Sequence, residues 1–286
     1  MERILISTDF SANATHAAQY GYNLAKHLKA NVVLCNAVLV PAQVPQAGVV
    51  VWPMDEYDTL IKSSAGDLLQ LKHDLKKSDD EAHFKPSVSL INESGVVADV
   101  INNAVEQMKI DMIVMGTHGS GGVGALLLGN HSRNMINATT RPLLLIPPEA
   151  KIDTIKKIAY ATDFKNPDDD LEAIYKLIDF ARRINANVLI THVTTTENQT
   201  NKFQKWLNNL LIDLSNTANY PHIYYRIVRN DSARHGLDWL CEHGHVDMLV
   251  MLHRPHHFLD TVLKGSYTQK MANHIPIPLL VFPAKE

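Results

Sequence analysis

The chain has 286 residues, of which 45% are hydrophobic and 20% charged. That length suits roughly two domains, and the balance excludes wholesale disorder. A formal net charge of −3 gives no basic excess for a phosphate backbone, so no nucleic-acid partner is expected. Cys35 and Cys241 are the only cysteines, which excludes a disulfide framework and suits a reducing cytoplasm.

In chain order, Arg3–Thr8 is a short apolar run that ends at once in polar residues. It reads as a parallel strand buried on both faces and not as the apolar core of a secretory signal. Ser11 or Asn13 can cap the next helix, in which Ala14, Ala17, Ala18, Gly21, Leu24, Ala25 and Leu28 recur at helical spacing. Residues 30–54 carry no charge, but Pro41, Pro45 and Pro53 argue against a membrane-spanning helix. The segment reads as a strand over Val32–Val38 and then an apolar loop around Val38–Asp58. The remaining predicted elements of the first half are a helix over Glu56–Lys77, a strand over Pro86–Ile91, a helix over Val96–Met108, a strand over Met112–Met115, a short helix over Asn130–Asn137 and a strand over Leu143–Ile146.

The second half repeats this order. Strands are expected at Lys157–Thr162, Val188–Val193, Ile223–Val228, Met248–Leu252 and Leu279–Phe282. Helices are expected at Leu171–Ile184, Lys202–Asn216, Arg234–Glu242 and Ser266–His274. The residues themselves recur: Arg3-Ile-Leu-Ile-Ser-Thr-Asp-Phe10 returns as Lys157-Ile-Ala-Tyr-Ala-Thr-Asp-Phe164, and Ala30-Asn-Val-Val-Leu34 as Ala186-Asn-Val-Leu-Ile190. Asp111-Met-Ile-Val-Met115 returns as Asp247-Met-Leu-Val-Met251, and Pro142-Leu-Leu-Leu-Ile-Pro147 as Pro278-Leu-Leu-Val-Phe-Pro283. Four matches in the same order indicate one duplicated domain. The halves are expected to be 1–149 and 150–286, with extra residues of the first half mostly in the apolar loop. Alternating strands and helices imply open parallel sheets with right-handed crossovers.

Ligands of such sheets bind past the carboxyl ends of strands, where strand order reverses. That points to Ser7-Thr8-Asp9, Asn36-Ala37-Val38 and the glycine-rich segment Gly116–Ser132. Glycines let backbone N–H groups approach an anion, and the next helix would add its unpaired N–H groups and dipole. The segment has no lysine and is not a Walker A loop. Gly119, Gly121 and Gly124 spell a dinucleotide fingerprint, but after the fourth strand and with Leu144 where a ribose-binding acid belongs, so a nicotinamide site is discounted.

The spacing Gly116-x2-Gly119-x9-Gly129, with Asp9 after the first strand and Pro142-Leu-Leu-Leu in the last, resembles the universal stress protein family in its tandem form. The resemblance covers nearly the whole chain. It implies two Rossmann-like domains of the adenine nucleotide alpha hydrolase-like kind, each an open five-stranded parallel sheet of order 3-2-1-4-5. It also implies an adenine nucleotide (ATP, ADP or AMP, with Mg²⁺ held mainly through phosphate oxygens). Thr8 and Asp9 would face ribose and adenine, and Ala37 the adenine. Met115 and Gly116 would line the ribose and α-phosphate, and His118 and Gly119 would approach the phosphates. Gly129, Asn130, His131 and Ser132 would close around the β- and γ-phosphates. Asn130 departs from the Ser or Thr usual there, though its amide still donates hydrogen bonds. In the second copy Gly116 becomes Leu252 and Gly119 becomes Pro255, so that half is expected to be degenerate and Asp163 structural. The family reading implies a sensor or adaptor, with the two halves packed as a pseudo-dimer and a further homodimer or protein partner allowed. The alternatives are a slow ATPase or phosphotransferase, for which only Arg133 offers a nearby cation, and a nucleotide-free interaction module.

The same residues also suit plain structural roles. The glycines could form a plain loop, Asp9 a turn carboxylate, and His118 and His131 solvent-facing side chains. Cys241, His243, His245, His253, His256 and His257 look like metal ligands, but a strand over 246–252 separates the two groups by roughly 20 Å, so no metal site is expected. The apolar loop is either folded over its own core, a partner patch or a lid.

Overall fold

A computed structural model describes residues 1–39, 54–77, 79, 84–117, 129–164, 166–194, 201–253 and 276–283. The first half contains β1 (Arg3–Ser7), α1 (Ala12–Leu28), β2 (Asn31–Val38), α2 (Met54–Lys76), β3 (Val88–Ser94), α3 (Val97–Met108), β4 (Met112–Gly116), α4 (Asn130–Ala138) and β5 (Leu143–Ile146). The second contains β6 (Lys157–Ala161), α5 (Pro167–Ile184), β7 (Asn187–Thr194), α6 (Asn201–Ala218), β8 (Ile223–Arg229), α7 (Ala233–His243), β9 (Met248–His253) and β10 (Leu279–Pro283). The helix expected at Ser266–His274 lies outside the described residues, as do residues 40–53 of the apolar loop.

The strands form one ten-stranded sheet of order β3-β2-β1-β4-β5-β10-β9-β6-β7-β8. The first half therefore has the expected order 3-2-1-4-5. The second half runs β10-β9-β6-β7-β8 from the seam outward, with β6 between β7 and β9. The expectation of separate, purely parallel sheets needs correction. β5 and β10 pair antiparallel, Leu143 opposite Val281 and Leu145 opposite Leu279, and fuse the halves into one mixed sheet. Both strands are short and wholly apolar, so neither could be left as an exposed edge without inviting association.

Alternate residues of each strand feed two cores. Ile4, Ile6, Val32, Leu34, Met112 and Val114 pack under α1 and α2, and Ile158, Tyr160, Val188 and Ile190 under α5 and α6. Leu5, Val33, Ile113, Met115, Ala159 and Leu249 pack under α3, α4 and α7 on the other face. This burial on both faces is what a parallel sheet with crossover helices requires. α1 lies close on the sheet at Gly21, where a Cβ would meet Ile6 Cδ1 at 3.0 Å and Val114 Cγ1 at 3.2 Å.

The duplication extends to individual hydrogen bonds. α1 and α5 both end in a left-handed residue, Lys29 (φ 54°) and Asn185 (φ 56°). Asp111 accepts from the backbone N–H groups of Glu2 and Arg3. Asp247 accepts from those of Lys156 and Lys157, at 2.8 Å each.

Candidate functional site

The carboxyl ends of β2, β1 and β4 lie side by side. Ala37 and Met115 point to the face covered by α3 and α4, and Met115 is buried there. Asp9 follows β1 and is exposed. Its Oδ1 accepts from Ser11 N–H at 3.1 Å, an Asx turn that leads into α1. Ser11 is the N-cap, its hydroxyl accepting from Ala14 N–H at 3.2 Å. Between them Phe10 adopts φ 62°, sparsely populated for an aromatic residue, and the Thr8 hydroxyl accepts from its N–H at 3.0 Å. The second half repeats this turn, with Phe164 at φ 54° and Thr162 as acceptor at 2.9 Å.

Thr8 itself is buried, and its backbone is engaged inside the sheet. Its N–H donates to Cys35 O at 2.9 Å, and its carbonyl accepts from Asn36 Nδ2 at 2.8 Å. Only the second carbonyl lone pair is left for a ligand. Asn36, buried at the end of β2, thus fixes the strand end between Ala37 and Asp9. The sequence points to Asn36 only within the segment Asn36-Ala37-Val38 and gives it no role of its own, though a polar residue ending the run Val-Val-Leu-Cys is a signal of a built hydrogen bond. His192 holds the same station in the second half, its Nδ1 3.0 Å from Thr162 O; facing a carbonyl, that nitrogen carries the proton.

Thr117 follows β4, and Gly129 precedes α4. The two ends are pinned together: Gly129 N–H donates to Thr117 O at 2.7 Å, and the buried Ser132 hydroxyl donates to Gly116 O at 2.9 Å. Ser132 therefore spends its proton on the stem of the glycine-rich loop. His118 and Gly119, with the rest of 118–128, lie outside the described residues.

α4 starts at Asn130 with Gly129 as its N-cap and no side-chain cap. The N–H groups of its first turn have no intrahelical carbonyl to bond and face the edge where Asn130 and His131 are exposed. Together with the helix dipole they can hold an anion. The Nε of Arg133, in the same turn, is buried without a hydrogen-bond partner among the described residues.

Burial pushes the Cys35 thiol up to about 12, and the Glu93 carboxylate adds to the shift. Cys241 is likewise pushed up to about 12, by burial and then by Asp238 and Glu242. Both are packing residues and not nucleophiles. Among the described residues no three His, Cys, Asp or Glu side chains converge as a metal site. His256 and His257 lie outside them. Among the described residues no helix is long and apolar enough to cross a membrane.

The sequence profile of the universal stress protein family matches residues 1–147 and again residues 154–283. Universal stress protein MJ0531 of Methanocaldococcus jannaschii is 29% identical over 150 residues, which are 52% of this chain and 84% of that protein. Universal stress protein MJ0577 of the same organism is 25% identical over 155 residues, 51% of this chain and 94% of that protein. The crystal structure of a universal stress protein from Archaeoglobus fulgidus is similar in fold, with a TM-score of 0.74 over 98% of each chain at 14% identity. With two successive matches along one sheet, this chain belongs to the universal stress protein family and carries its domain twice.

Proposed function

We propose that the first half, residues 1–149, binds one adenine nucleotide (ATP, or ADP or AMP) and that the chain acts in the cytoplasm as a stress-response sensor or adaptor. The observation that carries this reading is the stapled loop stem beside an uncapped helix start, Gly116–Ser132 and Gly129–Thr117 next to α4. It presents main-chain N–H groups at the carboxyl edge of the sheet, where strand order turns about β1. Asp9, beyond β1, would accept from ribose hydroxyls. Ala37 and Met115 would flank the base and sugar. Gly116, His118 and Gly119 would approach the phosphates, and the first turn of α4 (Asn130, His131 and Ser132) would hold their far end. Mg²⁺ would bridge phosphate oxygens and water.

The second half, residues 150–286, would hold no nucleotide and would serve as the built-in partner of a pseudo-dimer. Packing supports this as well as the lost glycines. Val193 takes the strand position of Ala37, and Val228, buried, that of exposed Glu93. α7 passes so close that a Cβ on Gly236 would lie 2.4 Å from Val193 Cγ1. Val193 and Val228 would thus form an apolar plug in the second crevice.

The test is to denature purified full-length protein, identify any released base, and titrate the stripped chain with ATP, ADP and AMP by calorimetry. One site per chain is expected. Asp9→Asn, which keeps the Asx turn, should weaken binding roughly tenfold. Gly119→Pro should abolish it. Two sites per chain, or none, would overturn the proposal.

A further inference from the structure

α1 and α5 are counterparts on one face of the sheet, and what lies beneath them differs. Tyr20 and Lys176 each stand nine residues before the left-handed cap of their helix, Lys29 and Asn185. Under α1 the space is filled. Tyr20 and Leu24 are buried, and the linker residues Asp153, Thr154 and Ile155 close against Asn23 and His27, leaving about 20 Å³. Burial pushes the Tyr20 phenol up and the Asp247 carboxylate adds to it, so the ring sits beside the strand end that Asp247 clamps.

Under α5 the ring is missing. Lys176 turns outward to Glu172, 3.0 Å away, and a cavity of about 270 Å³ opens below it. Its floor is apolar: Phe180 from α5, with Leu280 and Phe282 from β10. Its lining also carries two cations, Lys176 and Arg183, and two anions, Asp111 and Asp179. Asp111 is the counterpart of the Asp247 carboxylate beside Tyr20. The cavity lies at the amino ends of β4 and β5, on the edge opposite the Gly116–Ser132 stem.

We infer that this cavity binds a free aromatic amino acid. The ring fills the volume that Tyr20 fills beneath α1, against Phe180 and Phe282. The carboxylate meets Lys176 and Arg183, and the ammonium meets Asp111 and Asp179. Asp179 lies 3.9 Å from Arg182, Arg183 Nη1 donates to Met1 O at 3.5 Å and Asp111 holds two backbone N–H groups, so a zwitterion would join existing pairs of both signs, whereas an aromatic acid or amine offers a single charge. The Lys176–Glu172 pair is half exposed, so turning the lysine toward a ligand costs little. The site is separate from the proposed nucleotide crevice and stands or falls without it.

The test is calorimetry on the full chain with L-phenylalanine and L-tyrosine, compared with phenylacetate, phenethylamine and L-alanine. Saturable binding of one aromatic amino acid per chain is expected, with each comparison compound at least roughly tenfold weaker. Lys176→Tyr restores the ring found beneath α1. It should abolish this binding, raise Tm, and leave any ATP titration as it is in the parent chain. Arg183→Gln keeps the cavity and removes one charge, and should weaken binding roughly tenfold. No saturable heat, equal binding by phenylacetate, or full binding by Lys176→Tyr would each overturn the inference.

Discussion

The Ser132 hydroxyl donates to the Gly116 carbonyl over 2.9 Å, tying the last residue of β4 to the first turn of α4. Ser132→Ala keeps the volume nearly unchanged but leaves a part-buried carbonyl short of a donor. Stability should fall by about 1 kcal/mol, and ATP affinity by roughly tenfold because the stem is no longer held. Denaturant melts and calorimetry check the two effects separately. An unchanged Kd with the lower stability would show that the bond serves the fold alone.

Asp111 and Asp247 each accept two backbone N–H groups at the start of a central strand, β1 and β6. Asp111→Ala and Asp247→Ala should cost similar amounts, about 0.5–1.5 kcal/mol each, since both remove the same pair of exposed hydrogen bonds, whose donors water can then reach. Urea unfolding of the two variants is the measurement. A large asymmetry would mean that one half leans on the other at the strand start.

Tyr160 donates its phenolic proton to Asp170 Oδ1 over 2.7 Å, and both residues are buried between β6 and α5. Ile6 and Ala14 stand at the matching stations of the first half, so this polar pair belongs to the second half alone. Tyr160→Phe keeps the ring and removes a donor from a buried carboxylate. A loss of about 1–3 kcal/mol is expected, read as a lower Tm in a thermal melt.

The thiols of Cys35 and Cys241 set an alkaline limit. Each is pushed up to about 12 when folded, against about 8.5 for a free thiol. The unfolded chain therefore releases these protons first. The stabilising effect is complete below about pH 8.5 and is lost as pH rises toward 12, by about 1.4 kcal/mol per pH unit for each thiol. Urea melts from pH 7 to 10.5 should show this decline, and Cys35→Ala should reduce its slope. The native thiols should also resist iodoacetamide at neutral pH.

The sequence made the tandem order legible because each half repeats its residues as well as its pattern: Thr8-Asp9-Phe10 and Thr162-Asp163-Phe164 even share a left-handed phenylalanine. The antiparallel seam was not legible. Leu143–Leu145 and Leu279–Val281 are apolar on both faces, and an apolar run carries no mark of its neighbour's direction. At the site, glycine spacing located the loop stem at Gly116 and Gly129. It did not reveal that Ser132 and the Thr8 amide would be bonded within the protein, because a hydroxyl or an N–H reads the same in sequence whether it faces a ligand or a carbonyl. The cavity beneath α5 was invisible for a related reason: Lys176 is an ordinary helix residue until its counterpart Tyr20 is seen filling the same space.

The β5–β10 pairing has a mechanical consequence. Because main-chain hydrogen bonds cross the boundary between the halves, the molecule has no hinge there, and a clamshell motion would have to tear a sheet. A ligand bound at one rim, as proposed, would therefore act on the segments that border it, while the plank between the two rims stays stiff.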